Sequence, residues 1–318
     1  MAKIAAKAYL IDKVLFLNGL TRAGKFLLGK LVSCIEGVEY FQYVSALEHL
    51  PFLQKMGFVT EEAALSLIRV QVDEHAYNGI IGRNLNFRFT DASSIYNAPH
   101  FDRYLARSLE SDIPALLEKF KAEGGLPCYI IHETLPNISI FYKAFPEVRI
   151  IDFHRHPVDI AHSWLKRGWG HRYAEDPLSF CPIIEAGQKS APWYAESWQE
   201  EYENLSPIDR ILRSVSFLMQ EGEKSYQKLS ETEQKKMIRI SYESLVGNTE
   251  ATVKQLATFL GSSVTEALPS VMAREKLPNK SLFQNRAHKL SEIEKLASKK
   301  YFEILCHLSD LYQKEILS

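Results

Sequence analysis

Four short runs of apolar residues punctuate the chain: Val14–Asn18, Tyr129–His132, Val148–His154 and Met237–Ser241. Each is followed by a segment whose apolar positions recur every three or four residues, beginning near Gly24, Pro136, Pro157 and Thr249. Short runs without polar alternation suit strands buried on both faces, and their alternation with amphipathic helices predicts βαβ units around a parallel sheet. Long helical stretches, Phe52–Asn78, Phe101–Ala122 and Trp193–Leu229, separate the strands, and Ser291 to Ile316 reads as one or two amphipathic helices. No internal repeat or low-complexity linker interrupts the pattern. The expected architecture is a single α/β domain: a P-loop-type parallel β-sheet flanked by helices, with long helical insertions and a helical C-terminal segment after residue 261. Ligands of such sheets gather at the carboxyl ends of the strands, so the strand-to-helix junctions are the places to look.

Composition narrows the function classes. Of 318 residues, 46% are apolar and 24% charged, the balance of a globular protein. Lys plus Arg (38) nearly cancels Asp plus Glu (39), leaving no global field to hold a nucleic-acid backbone, so an anion site has to be local. No run approaches the roughly 20 apolar residues that span a bilayer, and Val14–Leu17 is too short for the core of a signal peptide. Cys34, Cys128, Cys181 and Cys306 are dispersed, with no metal-ligand spacing, and read as buried small apolar residues of a reducing compartment. These features predict a cytoplasmic enzyme with neither nucleic acid nor membrane as a partner; they leave the oligomeric state open.

The first junction reads Gly19-Leu-Thr-Arg-Ala-Gly24-Lys25-Phe26 between a strand and a helix. The spacing G-x-x-x-x-G-K in that context predicts a phosphate-binding loop, whose backbone N–H groups and helix N-terminus face an anion. Arg22 and Lys25 supply compensating charge. A nucleoside-triphosphate loop places Ser or Thr after the lysine to hold Mg²⁺; Phe26 stands there and cannot ligate a metal. The loop is therefore expected to grip phosphate without metal, which counts against the main rival, a small-molecule kinase.

The second junction reads Arg155-His-Pro157-Val-Asp159-Ile-Ala-His-Ser163. Pro157 suits the first position of a helix. Arg155 then stands at the strand's end and Ser163 on the helix, a planar fork of donors and a hydroxyl that both suit phosphate. The bland alternative is an ion pair between Arg155 and Asp159.

Taken together, the two junctions resemble the superfamily of sulfotransferases that use 3′-phosphoadenosine 5′-phosphosulfate (PAPS) as donor and release adenosine 3′,5′-bisphosphate (PAP). That family has a magnesium-free loop, often basic-Ser-Gly-Thr-Thr, which Arg22-Ala23-Gly24-Lys25-Phe26 resembles. Its second motif, Phe-Pro-x-x-Arg, a strand, then Arg-Asp-Pro-x-Asp-x-x-x-Ser, is matched from Phe145-Pro146 to Ser163 with His156 in place of Asp. Ile238-Arg-Ile-Ser-Tyr242-Glu243-Ser-Leu245 resembles the family's strand ending in Tyr-Glu-Asp-Leu, and Phe259-Leu260-Gly261 its "FLG". His132-Glu133-Thr134-Leu135-Pro136 sits where many members have Lys-x-Pro. The resemblance covers Val14 to Gly261. It implies that Thr21, Arg22, Ala23, Gly24, Lys25, Phe26 and Leu27 hold the 5′-phosphosulfate, that Arg155 and Ser163 bind the 3′-phosphate, and that Tyr242 touches the adenine. A further 3′-phosphate contact is implied near the C-terminus, where Lys280, Arg286 and Lys289 are candidates and Arg286 the first choice.

Sulfuryl transfer needs positive charge on the leaving phosphate and an acceptor for the proton of the attacking group. Arg22 and Lys25 are the candidates for the first task, Glu48 and His132 for the second, with His49 and His75 behind them. The acceptor, a hydroxyl or amine of a small molecule or carbohydrate, is not written in the sequence. Tyr40, Phe41, Tyr43, Phe52, Tyr96, Phe101, Trp169, Trp193, Tyr194 and Trp198 are aromatic positions that line either its pocket or the core. A protein with this fold that binds nucleotide without catalysing transfer is the remaining alternative.

Overall fold

The computed structural model describes residues 4–5, 7–171, 176–186, 189–279, 281 and 284–315. Five parallel strands form the central sheet in the order β2-β3-β1-β4-β7. They are β1 (Leu15–Asn18), β2 (Gln42–Tyr43), β3 (Cys128–Ile130), β4 (Arg149–His154) and β7 (Met237–Ser241). An antiparallel pair, β5 (Ile183–Ala186) and β6 (Lys189–Pro192), lies apart from it. Four strands of the sheet are those the apolar runs predict. β2 is two residues long, too short to leave a periodic trace, and the β5–β6 pair carries polar residues at Glu185 and Ser190 that break any apolar run.

β1, β3, β4 and β7 are largely buried on both faces, while β2 at the sheet edge leaves Tyr43 exposed. Leu15 and Leu17 of β1, with Ile151 and Phe153 of β4, pack beneath Leu28 and Leu31 of the helix Lys25–Val32 and Val253 and Leu256 of Thr249–Leu260. Phe16 and Ile150 face the other way, onto Ile68 and Val72 of Glu61–Ile80 and Phe141 of Ser139–Ala144. A third cluster joins Pro157–Lys166, Pro207–Gln227 and the C-terminal helix Lys299–Glu315 through Trp164, Leu212 and Leu305.

The long helical stretches are divided. Phe52–Asn78 falls on two helices, Ala46–Lys55 and Glu61–Ile80, parted at Gly57 (φ +78°) and restarted by Thr60, whose side chain accepts from the Ala63 N–H. Asp112 restarts the second stretch in the same way, capping Ile113–Ala122. Cys34 and Cys128 are buried, but Cys181 and Cys306 are partly exposed, which corrects the expectation for half of the thiols. The carboxyl ends of β1, β3, β4 and β7 lie side by side, and they bring the candidate residues together. No helix among the described residues is long and apolar enough to cross a membrane.

Candidate functional site

The loop after β1 is shaped by positive φ angles at Gly19 (+151°), Arg22 (+75°) and Gly24 (+104°). Glycine is required at Gly24 on two counts: its φ, and the Tyr242 ring, which would lie 2.8 Å from an added Cβ. Gly24 precedes the helix Lys25–Val32 without a side-chain cap; its carbonyl accepts from the Leu27 and Leu28 N–H groups, and those of Lys25 and Phe26 have no partner within the helix. The side chains of Ala23, Phe26 and Leu27 pack into the core beneath. Ala23 is fully buried, whereas Phe26 and Leu27 remain partly exposed.

Lys25 is 3% exposed and turns back on the loop. Its Nζ donates to the carbonyls of Gly19 (2.5 Å) and Leu20 (2.9 Å). Burial lowers its pKa to about 8, against the opposing pull of Glu133, Glu48 and Asp152. The Thr21 N–H donates to the carboxylate of Glu133 at 2.5 Å, and the Trp164 indole donates to the Thr21 carbonyl at 2.9 Å. Glu133 itself has φ +53°. Sequence reasoning gave Glu133 and Trp164 no role. The only trace of either is its place beside a named candidate, His132 or Ser163.

The second junction closes over the first. Arg22 Nε donates to Ser163 Oγ at 3.0 Å, and Arg155 Nη1 to the Arg22 carbonyl at 3.0 Å. The Arg155 guanidinium lies 4.2 Å from the centre of the Tyr242 ring. Its Nε is buried with no hydrogen-bond partner. Arg22, exposed but partly covered by its neighbours, is depressed from its usual pKa by that partial desolvation and then by the like charges of Arg167 and Arg155. Thus Arg22, Ser163, Arg155 and Tyr242 form one patch, in which two guanidinium groups meet no carboxylate of their own among the described residues.

The ion pair that offered the bland reading of Arg155 is made by other residues. Asp159 is held by Arg286 (2.9 Å) and Lys289 (2.5 Å). Arg286 also pairs with Glu243. Burial resists ionisation of Asp159, yet its surrounding cations hold the carboxyl below the usual range. Two of the three C-terminal candidates therefore reach the second junction, engaged there with carboxylates; Lys280 lies outside the described residues.

Glu48 and His132 meet on the far side of the loop. His132 Nδ1 lies 2.5 Å from Glu48 Oε1, and the Tyr43 hydroxyl donates to Glu48 Oε2 at 3.0 Å. Burial raises the Glu48 carboxyl to about 7, with the Tyr43 hydrogen bond and Lys25 pulling the other way. Burial, and then Lys25, hold His132 neutral by lowering its pKa. Beside this pair is a cavity of about 220 Å³ lined by Thr21, Glu48, His132, Glu133 and aromatic residues that include Tyr43, Trp169, Trp193 and Tyr194. The other aromatic candidates lie elsewhere: Tyr40, Phe41, Phe52 and Trp198 are core, and exposed Tyr96 meets the partly buried Phe101 in a tilted contact. His49 borders the cavity, where it contacts the Phe180 carbonyl; His75 lines a different one with Gln42.

Comparison with models of known families and with curated protein sequences gave no match. Among solved structures, the chain is similar to the sulfotransferase domain from the curacin biosynthetic pathway, at 12% identity and a TM-score of 0.49, over 94% of this chain and 98% of that one. It is similar to the sulfotransferase domain from the Synechococcus PCC 7002 olefin synthase at 12% identity and 0.49, over 96% of each chain. The sulfotransferase STF9 from Mycobacterium avium follows at 10% identity and 0.45, over 97% of this chain and 78% of that one. Likeness this distant says nothing about which groups this chain binds.

Proposed function

We propose that the chain is a sulfotransferase that takes its sulfuryl group from PAPS and delivers it to a hydroxyl of a small-molecule acceptor. The observation that carries this reading is the Arg155 guanidinium. It is stacked on Tyr242 and tied to the loop at the Arg22 carbonyl, with a buried Nε that lacks a partner, while the nearby Asp159 is satisfied by Arg286 and Lys289. A buried donor left unpaired costs roughly 1–3 kcal/mol, and an oxyanion would satisfy it. With Ser163, Arg155 would take the 3′-phosphate, and Tyr242 would flank the base. Arg22, Lys25 and the loop amides would take the 5′ end.

The donor supplies the sulfuryl group: its bond to the 5′-phosphate oxygen breaks, the electron pair staying on that oxygen, as the acceptor oxygen bonds to sulfur. The chain's part is to hold the two in line, to place charge where the phosphate becomes more negative, and to remove the acceptor's proton. His132 Nδ1 is committed to Glu48, which leaves Nε2 as the ring atom for that proton. Glu48, fixed by the Tyr43 hydroxyl, sets the tautomer.

The kinase alternative has less support. Phe26 packs against Phe41, and Asp152, the acid on β4 that could pass for a metal ligand, is held by Asn18 (2.7 Å) and His154 (2.6 Å). Calorimetry with PAP, AMP and ATP, each with and without Mg²⁺, tests the proposal. PAP should bind without metal and more tightly than AMP; equal affinity for the two overturns the reading.

A further inference from the structure

The cavity beside the Glu48–His132 pair has an unusual balance of charge. Two carboxylates, Glu48 and Glu133, border it, and no Lys or Arg does among the described residues. Its histidines do not offset them: burial lowers the pKa of His49 and of His132. Lys25 lies behind the wall, with its ammonium turned onto the Gly19 and Leu20 carbonyls. The remaining walls are largely aromatic, with Trp164, Trp169 and Trp193 contributing indoles, and Trp164 and Trp169 in edge-to-face contact at 5.4 Å. Indole faces attract cations, and so do carboxylates.

We propose that this cavity selects an acceptor that carries a positive charge at neutral pH apart from its reacting hydroxyl, namely an aromatic or alicyclic alcohol bearing an ammonium group. The proposal rests on the sulfotransferase reading for the word acceptor, but the cation preference belongs to the cavity itself. The volume, about 220 Å³, suits roughly one ring and a short arm. An ammonium has no lone pair to attack sulfur, so the charge has to sit on a second group while the hydroxyl meets His132. A donor bound at the loop brings negative charge to the mouth of the same cavity. That further favours a cation and excludes carboxylated or sulfated acceptors. The raised pKa of Glu48 fits the same picture, because a carboxyl kept partly neutral by burial ionises when a cation arrives beside it.

The indoles in the wall report binding without any turnover. Tyramine, 4-ethylphenol and 3-(4-hydroxyphenyl)propanoate share a phenol and differ in charge, and each can be titrated against the intact protein by tryptophan fluorescence. Tyramine should bind at least tenfold more tightly than 4-ethylphenol at low ionic strength, and the propanoate should bind weakest. Glu133→Gln should erase most of the tyramine advantage over 4-ethylphenol. Equal affinity for tyramine and 4-ethylphenol, tighter binding of the propanoate, or no binding of any of the three overturns the proposal. Calorimetry with PAP on the same preparation keeps the two readings apart. If tyramine binds and PAP does not, the cation site stands and the donor assignment falls; if PAP alone binds, the reverse holds.

Discussion

Nδ1 of His132 stands 2.5 Å from Oε1 of Glu48, so two residues that compete on sequence for one role form a single unit. The unit has two states that differ by the loss of one proton and by which ring nitrogen of His132 keeps its hydrogen. When Glu48 is protonated, its O–H donates to Nδ1 and the neutral ring carries hydrogen on Nε2. When Glu48 is ionised, Nδ1–H donates to it and the Nε2 lone pair is open to an acceptor hydroxyl. The hydrogen bond made at Nδ1 fixes which ring nitrogen carries the hydrogen in each state.

The first prediction follows. Turnover should rise with pH and level off above a midpoint near 7, the value to which burial raises Glu48. Glu48→Gln should flatten that profile and reduce turnover by about two decades or more, the usual scale for a displaced general base. A variant that keeps the wild-type profile would show that another group sets it.

Arg155→Ala should weaken PAP binding by roughly one to two decades, the scale of a charge-assisted contact of about 1.5–3 kcal/mol. Folding should survive, because Asp159 keeps Arg286 and Lys289 as partners. Calorimetry and thermal melting on the same sample check both halves.

Arg22 and Lys25 should separate in their effects on stability. Arg22 is exposed, and Arg22→Ala should leave the melting temperature close to wild type while lowering turnover by roughly two decades. Lys25→Ala removes the donor to two loop carbonyls from a site that is 3% exposed, so it should lower both turnover and melting temperature. Unchanged turnover in both would place the leaving sulfuryl group somewhere other than this loop.

Gly24→Ala tests the contact between the loop and Tyr242. The new Cβ would meet the ring at 2.8 Å, on a backbone with φ +104°. Gly57→Ala is the control, since its φ is +78° and nothing lies within 4 Å of the added atom. Both should lose stability through backbone strain of about 1–3 kcal/mol, but only Gly24→Ala should lose PAP affinity as well. Chemical denaturation and calorimetry read the two effects.

What the sequence disclosed, and what it withheld, divides along one physical line. β1, β4 and β7 were visible through apolar residues that dominate them despite Asp152 and Arg239, and Arg155 and Ser163 through an eight-residue spacing that runs from the strand's end into the following helix. Contacts between distant segments leave no such mark. Thr21 and Glu133 are 112 positions apart, and Asp159 lies 127 from Arg286, so nothing local distinguishes the partners of Asp159 from Arg155, which is four residues away. Tyr43 sits on a strand two residues long, and its bond to Glu48 depends on that strand joining the sheet edge beside β3.

The Thr21 amide is already claimed from within the chain by the Glu133 carboxylate. A phosphate arriving there meets an intramolecular competitor, tethered at a fixed effective concentration that dilution cannot change. The apparent dissociation constant for an anion at this amide is then the intrinsic constant divided by the fraction of molecules in which Glu133 has let go. Any motion of the β3–Leu135 segment that shifts this fraction retunes the loop's hold on nucleotide without touching a single phosphate contact.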